Sequence, residues 1–249
     1  MQPGVLGELL SQAFADERGC RINPARAATK PVPAGTADGS YDTDCNGTDD
    51  TTPTLSGAQE GLSTTHLTTA DRWGNVVSYT LTIEQTGGSA LTVPRRGFLL
   101  NNELTDFTLE PTAGDPNAPG GGKRPRSSMS PTIVLDRGAP VLALGSPGGS
   151  TIITTVLQVL LNRLDFGMSL PEAVAAPRAS QRNTKDVQAE PAFDRTLLTV
   201  LGHTFADPPA PGEIGAVTGI ELRRSGRMVA VAEPTRRGGG SAAVVRPRR

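Results

Sequence analysis

Thr64 and Thr82 flank a DRWGN stretch, Asp71 to Asn75, that reads as a hairpin turn. If those five residues form the loop, Ala70 faces Val76 and the pairing runs backward at a constant sum of positions. Thr64 then lies opposite Thr82, with Cβ atoms about 4.5–5.5 Å apart. Two hydroxyls so placed can share a hydrogen bond, and one can orient and polarise the other as a nucleophile. A tighter turn at Trp73-Gly74 would shift the register by one and leave only a Thr-rich strand pair.

Three further groups carry chemistry. Gly145-Ser146-Pro147-Gly148-Gly149-Ser150 stands between a strand pattern and a helix pattern. Backbone N–H groups there, unobstructed at Gly148 and Gly149, suit an anion and would hold the oxyanion of an acyl transfer. Asn101-Asn102-Glu103-Leu104-Thr105-Asp106-Phe107 offers two carboxylates three positions apart, and Ser127-Ser128 two adjacent hydroxyls. Acids suit an α-ammonium group and hydroxyls a carboxylate, so together they can grip an amino acid. Each motif alone also reads as a turn or a cap. The glycine-rich loop is not GxxxxGK[ST], and no GxGxxG with a downstream acid points to a dinucleotide.

The elements that must position these groups follow from periodicity. Apolar pairs at Val5-Leu6, Leu9-Leu10 and Ala13-Phe14 predict one amphipathic helix that Gly19 can end. Residues 20–63 are polar and aperiodic, a surface loop or linker that includes an Asn46-Gly47-Thr48 sequon. Strands are predicted at 64–70 and 76–83, where Val77, Tyr79, Leu81 and Ile83 share one face and Ser78, Thr80 and Thr82 the other. Further strands are predicted at 97–100, 131–135, 141–145, 217–223, 228–231 and 242–245. Helices are predicted at about 150–164, from the Ser169-Leu170-Pro171-Glu172 capping box to Pro177, and at 194–201. Strands and helices arriving in blocks predict an α+β arrangement of sheets covered by helices.

Composition narrows the function classes. Of 249 residues, 36% are hydrophobic, enough for a real core. Lys and Arg number 24 against 25 Asp and Glu, which leaves no basic excess for nucleic acid. No run approaches the roughly 18 apolar residues of a membrane span. The start, MQPGVLGELLSQAF, has no cationic n-region of a signal peptide. Two histidines do not make a multi-His metal site. Cys20 and Cys45 fit either one disulfide or two free thiols.

Thr64-Thr65-His66, NNELTDF, KRPRSSMSPT, GSPGGSTIITTVLQ, EAVAAPR and the Glu233-Pro234 region occur in this order, and in that order the sequence resembles the γ-glutamyltranspeptidases (glutathione hydrolases). The resemblance runs from Thr64 to about Val245, and residues 5–15 resemble the end of that family's large subunit. It implies an N-terminal-nucleophile hydrolase, an αββα four-layer sandwich present here in part. Residues 1–63 would be the end of the large subunit and the linker, and 64–249 the catalytic small subunit. The precursor would cut itself between Ser63 and Thr64, freeing the α-amino group of Thr64 to act as base for its own hydroxyl.

Carried over, Thr64 is the nucleophile, Thr82 its hydroxyl partner, and Gly148 and Gly149 the oxyanion donors. Ser127 and Ser128 hold the substrate α-carboxylate; Glu103 and Asp106 hold the α-ammonium. Glu84 occupies a position where some members carry Asn. The short loop from Thr108 to Gly122 resembles the branch without a lid. The family's large subunit, with the Arg that pairs with the glutamyl carboxylate, lies upstream of this sequence. The implied substrates are glutathione or other γ-glutamyl donors, with water, amino acids or dipeptides as acceptors. No cofactor is implied, and the implied location is secreted, periplasmic or cell-surface. The alternatives are an acylase of the same fold, a poly-γ-glutamate depolymerase, or an inactive fragment.

Overall fold

The structure is a computed structural model, and it describes residues 4–46, 63–206 and 213–246. The chain divides into two compact units.

The smaller unit takes residues 1–57, 183–187 and 194–205. The single predicted N-terminal helix is two, α1 (Val5–Leu9) and α2 (Gln12–Cys20). Ser11 causes the break: its extended backbone and its Oγ, which accepts from the Phe14 N–H, cap a new helix. Gly19 does not stop the helix, which runs one residue further to Cys20. Cys20 is disulfide-bonded to Cys45. Residues 21–46 hold no helix or strand, as the polar sequence predicts, and are tied by bonds such as Val32 N–H to Asn183 Oδ1. Gly47 and Thr48 of the sequon, and the linker on to residue 62, lie outside the described residues. Helix α5 (Thr196–Val200) completes this unit, shorter than predicted.

The larger unit carries three layers. A hairpin of β1 (Thr64–Ala70) and β2 (Val76–Thr82) lies on a four-stranded antiparallel sheet, order β3-β4-β7-β8. Its strands are β3 (Thr132–Asp136), β4 (Ala139–Gly145), β7 (Thr218–Leu222) and β8 (Met228–Ala232). Helices α3 (Ile152–Leu164) and α4 (Leu170–Ala175) cover the other face. Strand β4 shows why the layers stack so. Leu142 and Leu144 point into an apolar core with Ile152, Val156, Val159, Leu170 and Val174, while Gly145, on the opposite face, lies against the hairpin. The buried residues of α3, Ile152, Thr155, Val156, Val159 and Asn162, trace one helical stripe. The capping box that opens α4 is formed in full, with Pro171 in its first turn. A short pair, β5 (Ala179–Ser180) with β6 (Gln188–Ala189), follows α4.

Behind α4 sits a buried ion network. Arg178 bonds Glu233 at 3.0 Å, Glu233 bonds Arg236 at 2.9 Å, and Arg236 bonds Glu190 at 2.6 Å. Removing one member would strand a buried charge, so the network ties the chain that follows α4 to the chain beyond β8.

Two predicted strands do not form. Residues 97–100 contribute only an isolated bridge, Thr92 with Leu99. Residues 242–245 are exposed and without a ladder partner among the described residues, so their β-prone sequence has nothing to pair with. The hairpin also turns its apolar face outward: Leu67, Val77, Tyr79 and Leu81 are exposed, and His66 and Thr80 are buried against the sheet. No helix among the described residues is long and apolar enough to cross a membrane.

Candidate active site

The hairpin register is Thr64 opposite Thr82 through Ala70 opposite Val76, the pairing expected from a five-residue loop. The turn holds because Asp71 accepts from the N–H groups of Trp73 and Asn75 and from the Asn75 amide. That register brings Thr64 Oγ1 to Thr82 Oγ1 at 3.0 Å, with the Thr64 hydroxyl donating. Thr82 Oγ1 also accepts from the Glu84 N–H at 2.8 Å, so its position is fixed from the far side. Glu84 has a left-handed backbone, φ 70°, which swings the chain out of β2 just after Thr82.

The next shell is pinned to that bend. Asn102 accepts from the Gln85 N–H and donates to the Gln85 side chain, and its own N–H bonds Ile83 O. These bonds seat the 3₁₀ turn Glu103–Asp106 beside the end of β2. Asn117, buried, donates to Asp106 O at 2.7 Å and accepts from the Arg126 N–H at 3.0 Å. Asp106 and Arg126-Ser127-Ser128 are thereby clamped together from one side chain. Sequence reasoning missed Asn117, which looks like any loop Asn in DPNAPG. It also missed Arg126, whose only signal is adjacency to the two serines.

One cavity collects the result. Thr64, Thr82, Glu84, Glu103, Asp106, Ser127, Ser128 and Gly149 line it, with Arg126 at its wall. Gly148 and Ser63 are not among its lining residues; Gly148 directly precedes Gly149, and Ser63 directly precedes Thr64 with its N–H on Glu84 O. Gly148 must be glycine: its φ is 144°, and a Cβ would meet Thr151 Oγ1 at 2.8 Å. Its carbonyl is occupied by the Thr151 hydroxyl and N–H.

Three of the residues that line the cavity are acidic. Glu84, Glu103 and Asp106 bring carboxylate oxygens within 4.8 Å of one another, the one such grouping of three potential cation ligands among the described residues. Burial raises the proton affinity of all three. The Asp106 charge raises Glu84 and Glu103 further, and Arg126 opposes the rise at Asp106. Ser127 and Ser128 line the same cavity, and beneath β1 the buried His66 is neutral, its pKa pushed down to about 4 by burial. Its ring bonds Thr80 Oγ1 at 2.7 Å and Thr68 Oγ1 at 3.1 Å. A threonine hydroxyl with a fixed hydroxyl partner, a glycine turn beside it, a cluster of carboxylates and a pair of serine hydroxyls together suit attack on an acyl group carrying an amino acid.

Comparison with known proteins gives the same family from three directions. The sequence model described as gamma-glutamyltranspeptidase matches residues 2–243. The chain is 45% identical over 179 residues to the glutathione hydrolase proenzyme of Bacillus subtilis (strain 168), covering 70% of this chain and 30% of that protein. It is 38% identical over 229 residues to the acylase ACY 1 proenzyme of Pseudomonas sp. (strain SE83), covering 91% of this chain and 36% of that one. Among solved structures, a gamma-glutamyltranspeptidase from Pseudomonas nitroreducens complexed with L-DON superposes with a TM-score of 0.64 at 34% identity. It covers 73% of this chain and 100% of that chain. The chain thus spans about a third of the length of the curated relatives it matches.

Proposed function

The chain belongs to the γ-glutamyltranspeptidase family, an N-terminal-nucleophile fold, and from that premise we propose that it provides the catalytic half of a γ-glutamyl-transferring enzyme. The observation that carries the reading is the Thr64–Thr82 hydroxyl pair, 3.0 Å apart, opening onto a cavity that carboxylates and serine hydroxyls also line.

Scission between Ser63 and Thr64 frees the Thr64 α-amino group, which takes the proton of its own hydroxyl. Residues 1–63 then close the large subunit, and 64–249 form the small one. Thr64 Oγ1 bonds to the γ-carbonyl carbon of glutathione or a similar donor. The C–N bond breaks, and the proton leaves with the amine. Gly148 and Gly149 N–H groups hold the oxyanion. Glu103, Asp106 and Glu84 hold the donor α-ammonium, and Ser127 and Ser128 its α-carboxylate. Water, an amino acid or a dipeptide resolves the ester and returns the proton; no cofactor takes part in these steps. The partner is the family's large subunit, in keeping with relatives named as proenzymes. The Cys20–Cys45 disulfide favours an oxidising, extracytoplasmic location, secreted, periplasmic or at the cell surface.

The acylase relative makes a des-amino acyl donor the second reading. Three carboxylates clustered in the cavity favour a donor that carries an amine. The test is denaturing electrophoresis with N-terminal sequencing of protein that hydrolyses a γ-glutamyl anilide. A new terminus at Thr64 is expected, with Thr64→Ala uncut and inactive. Full activity in an uncut chain would refute the mechanism.

A further inference from the structure

Ser150 follows Gly149 directly, is half-buried, and lines the same cavity as Thr64. Its Oγ accepts from Arg182 Nη1 at 2.6 Å. A serine oxygen that accepts in this way still has one proton to donate, and that proton has no acceptor among the described residues.

Arg182 is itself held. Its Nη2 donates to Oε1 of Gln188, a buried residue of β6. The β5–β6 pair is tied in turn to α3 by the Thr154 and Ser180 hydroxyls, 2.7 Å apart. The turn ahead of α3 needs such support. Gly148 and Gly149 have φ of 144° and 53°, and glycine moves freely in that region, so their own backbone does not fix them. From within, the Gly148 carbonyl is held by Thr151; from outside, the Arg182 guanidinium holds Ser150. A guanidinium that donates to a hydroxyl oxygen also polarises its O–H bond and strengthens the remaining proton as a donor. Beside the N–H groups of Gly148 and Gly149, the acceptor that suits this proton is the oxygen that turns negative when Thr64 attacks.

Resting on the γ-glutamyl reading above, we propose that Ser150 is a further catalytic residue, donating a third hydrogen bond to the oxyanion, and that Arg182 is the positioning residue that holds it. As Thr64 Oγ1 bonds to the γ-carbonyl carbon, the carbonyl electron pair moves onto oxygen and Ser150 donates to it. The pair returns as the C–N bond breaks, and Ser150 keeps its proton throughout.

The test is hydrolysis of a γ-glutamyl anilide by the chain co-expressed with its proposed large subunit, with rates expressed per chain cut at Thr64. Ser150→Ala is expected to lower kcat on the order of a hundredfold and to leave KM within about twofold. Arg182→Met should lower kcat about tenfold, and Arg182→Lys, which still donates to the hydroxyl, should restore most of the loss. In the Ser150→Ala background Arg182→Met should add nothing, a coupling that a merely structural arginine would not show. If Ser150→Ala stays uncut, the two Arg182 variants decide, because both keep the hydroxyl: an unchanged kcat in Arg182→Met overturns the proposal, and a loss that Arg182→Lys restores supports it. An unchanged kcat in a cut Ser150→Ala enzyme, losses confined to KM, or additive losses in the double variant would overturn the proposal and leave the γ-glutamyl reading standing. A wild-type enzyme cut at Thr64 and inactive on the anilide would overturn both.

Discussion

His66 stands two residues from Thr64, on the same inward face of β1, and its chemistry differs from that of a solvent histidine. Burial holds its imidazole neutral, with the pKa pushed down from 6.5 to about 4. The folded chain therefore refuses a proton that the unfolded chain accepts between those values. Stability from this residue is fully present above about pH 6.5 and is lost as pH falls toward 4, about 3 kcal/mol in all. Urea unfolding as a function of pH should show the loss, with a slope near 1.4 kcal/mol per unit inside that window. His66→Gln should flatten that part of the profile. An identical slope in the variant would mean that other groups carry it.

At the scale of elements, helix α4 is where a single hydroxyl has most leverage. Ser169 and Glu172 cap it reciprocally, and the Val174 carbonyl at its end accepts from Arg236 of the ion network. Ser169→Ala should cost about 1 kcal/mol in urea unfolding, with no change in the position of the proposed self-cleavage. A cost within error of zero would show that the network alone sets the helix. This cap was legible in the sequence, as was the β1–β2 register, because both depend on residues close together in the chain. What was not legible depends on partners far away. The strand expected at 242–245 has the right residues but no neighbouring ladder. The alternation of β2 was readable, but which face would be buried was not, because that depends on His66, Gly145 and the sheet beneath. The seat of Glu103 and Asp106 depends on Asn117, which no local pattern distinguishes.

Across the whole chain, the large unit covers its core on one side and leaves apolar surface on the other. Leu67, Val77, Tyr79 and Leu81 form a stripe on the hairpin, with Val77 and Tyr79 each 52% exposed. Such a stripe is a docking face or an aggregation liability, and here it lies on the hairpin that carries Thr64, the proposed nucleophile. Expressed by itself, the 249-residue chain should self-associate, visible as a concentration-dependent rise in light scattering. Val77→Lys with Tyr79→Lys should reduce that association. The same pair should weaken recruitment of the proposed large subunit in co-expression. A monodisperse wild-type chain would show that the stripe is tolerated in water.

The contact between Gly145 and His66 also constrains the evolutionary path of the sequence. A Cβ at position 145 would lie 2.3 Å from His66 Cε1, inside the imidazole ring's own volume. A side chain at 145 therefore becomes acceptable only in a lineage that has already lost the ring at 66. The reverse order is open, since a smaller residue at 66 leaves Gly145 with nothing to clash against. Divergence at these two positions should be epistatic and ordered, with changes at 66 appearing beside Gly145 and changes at 145 never beside His66.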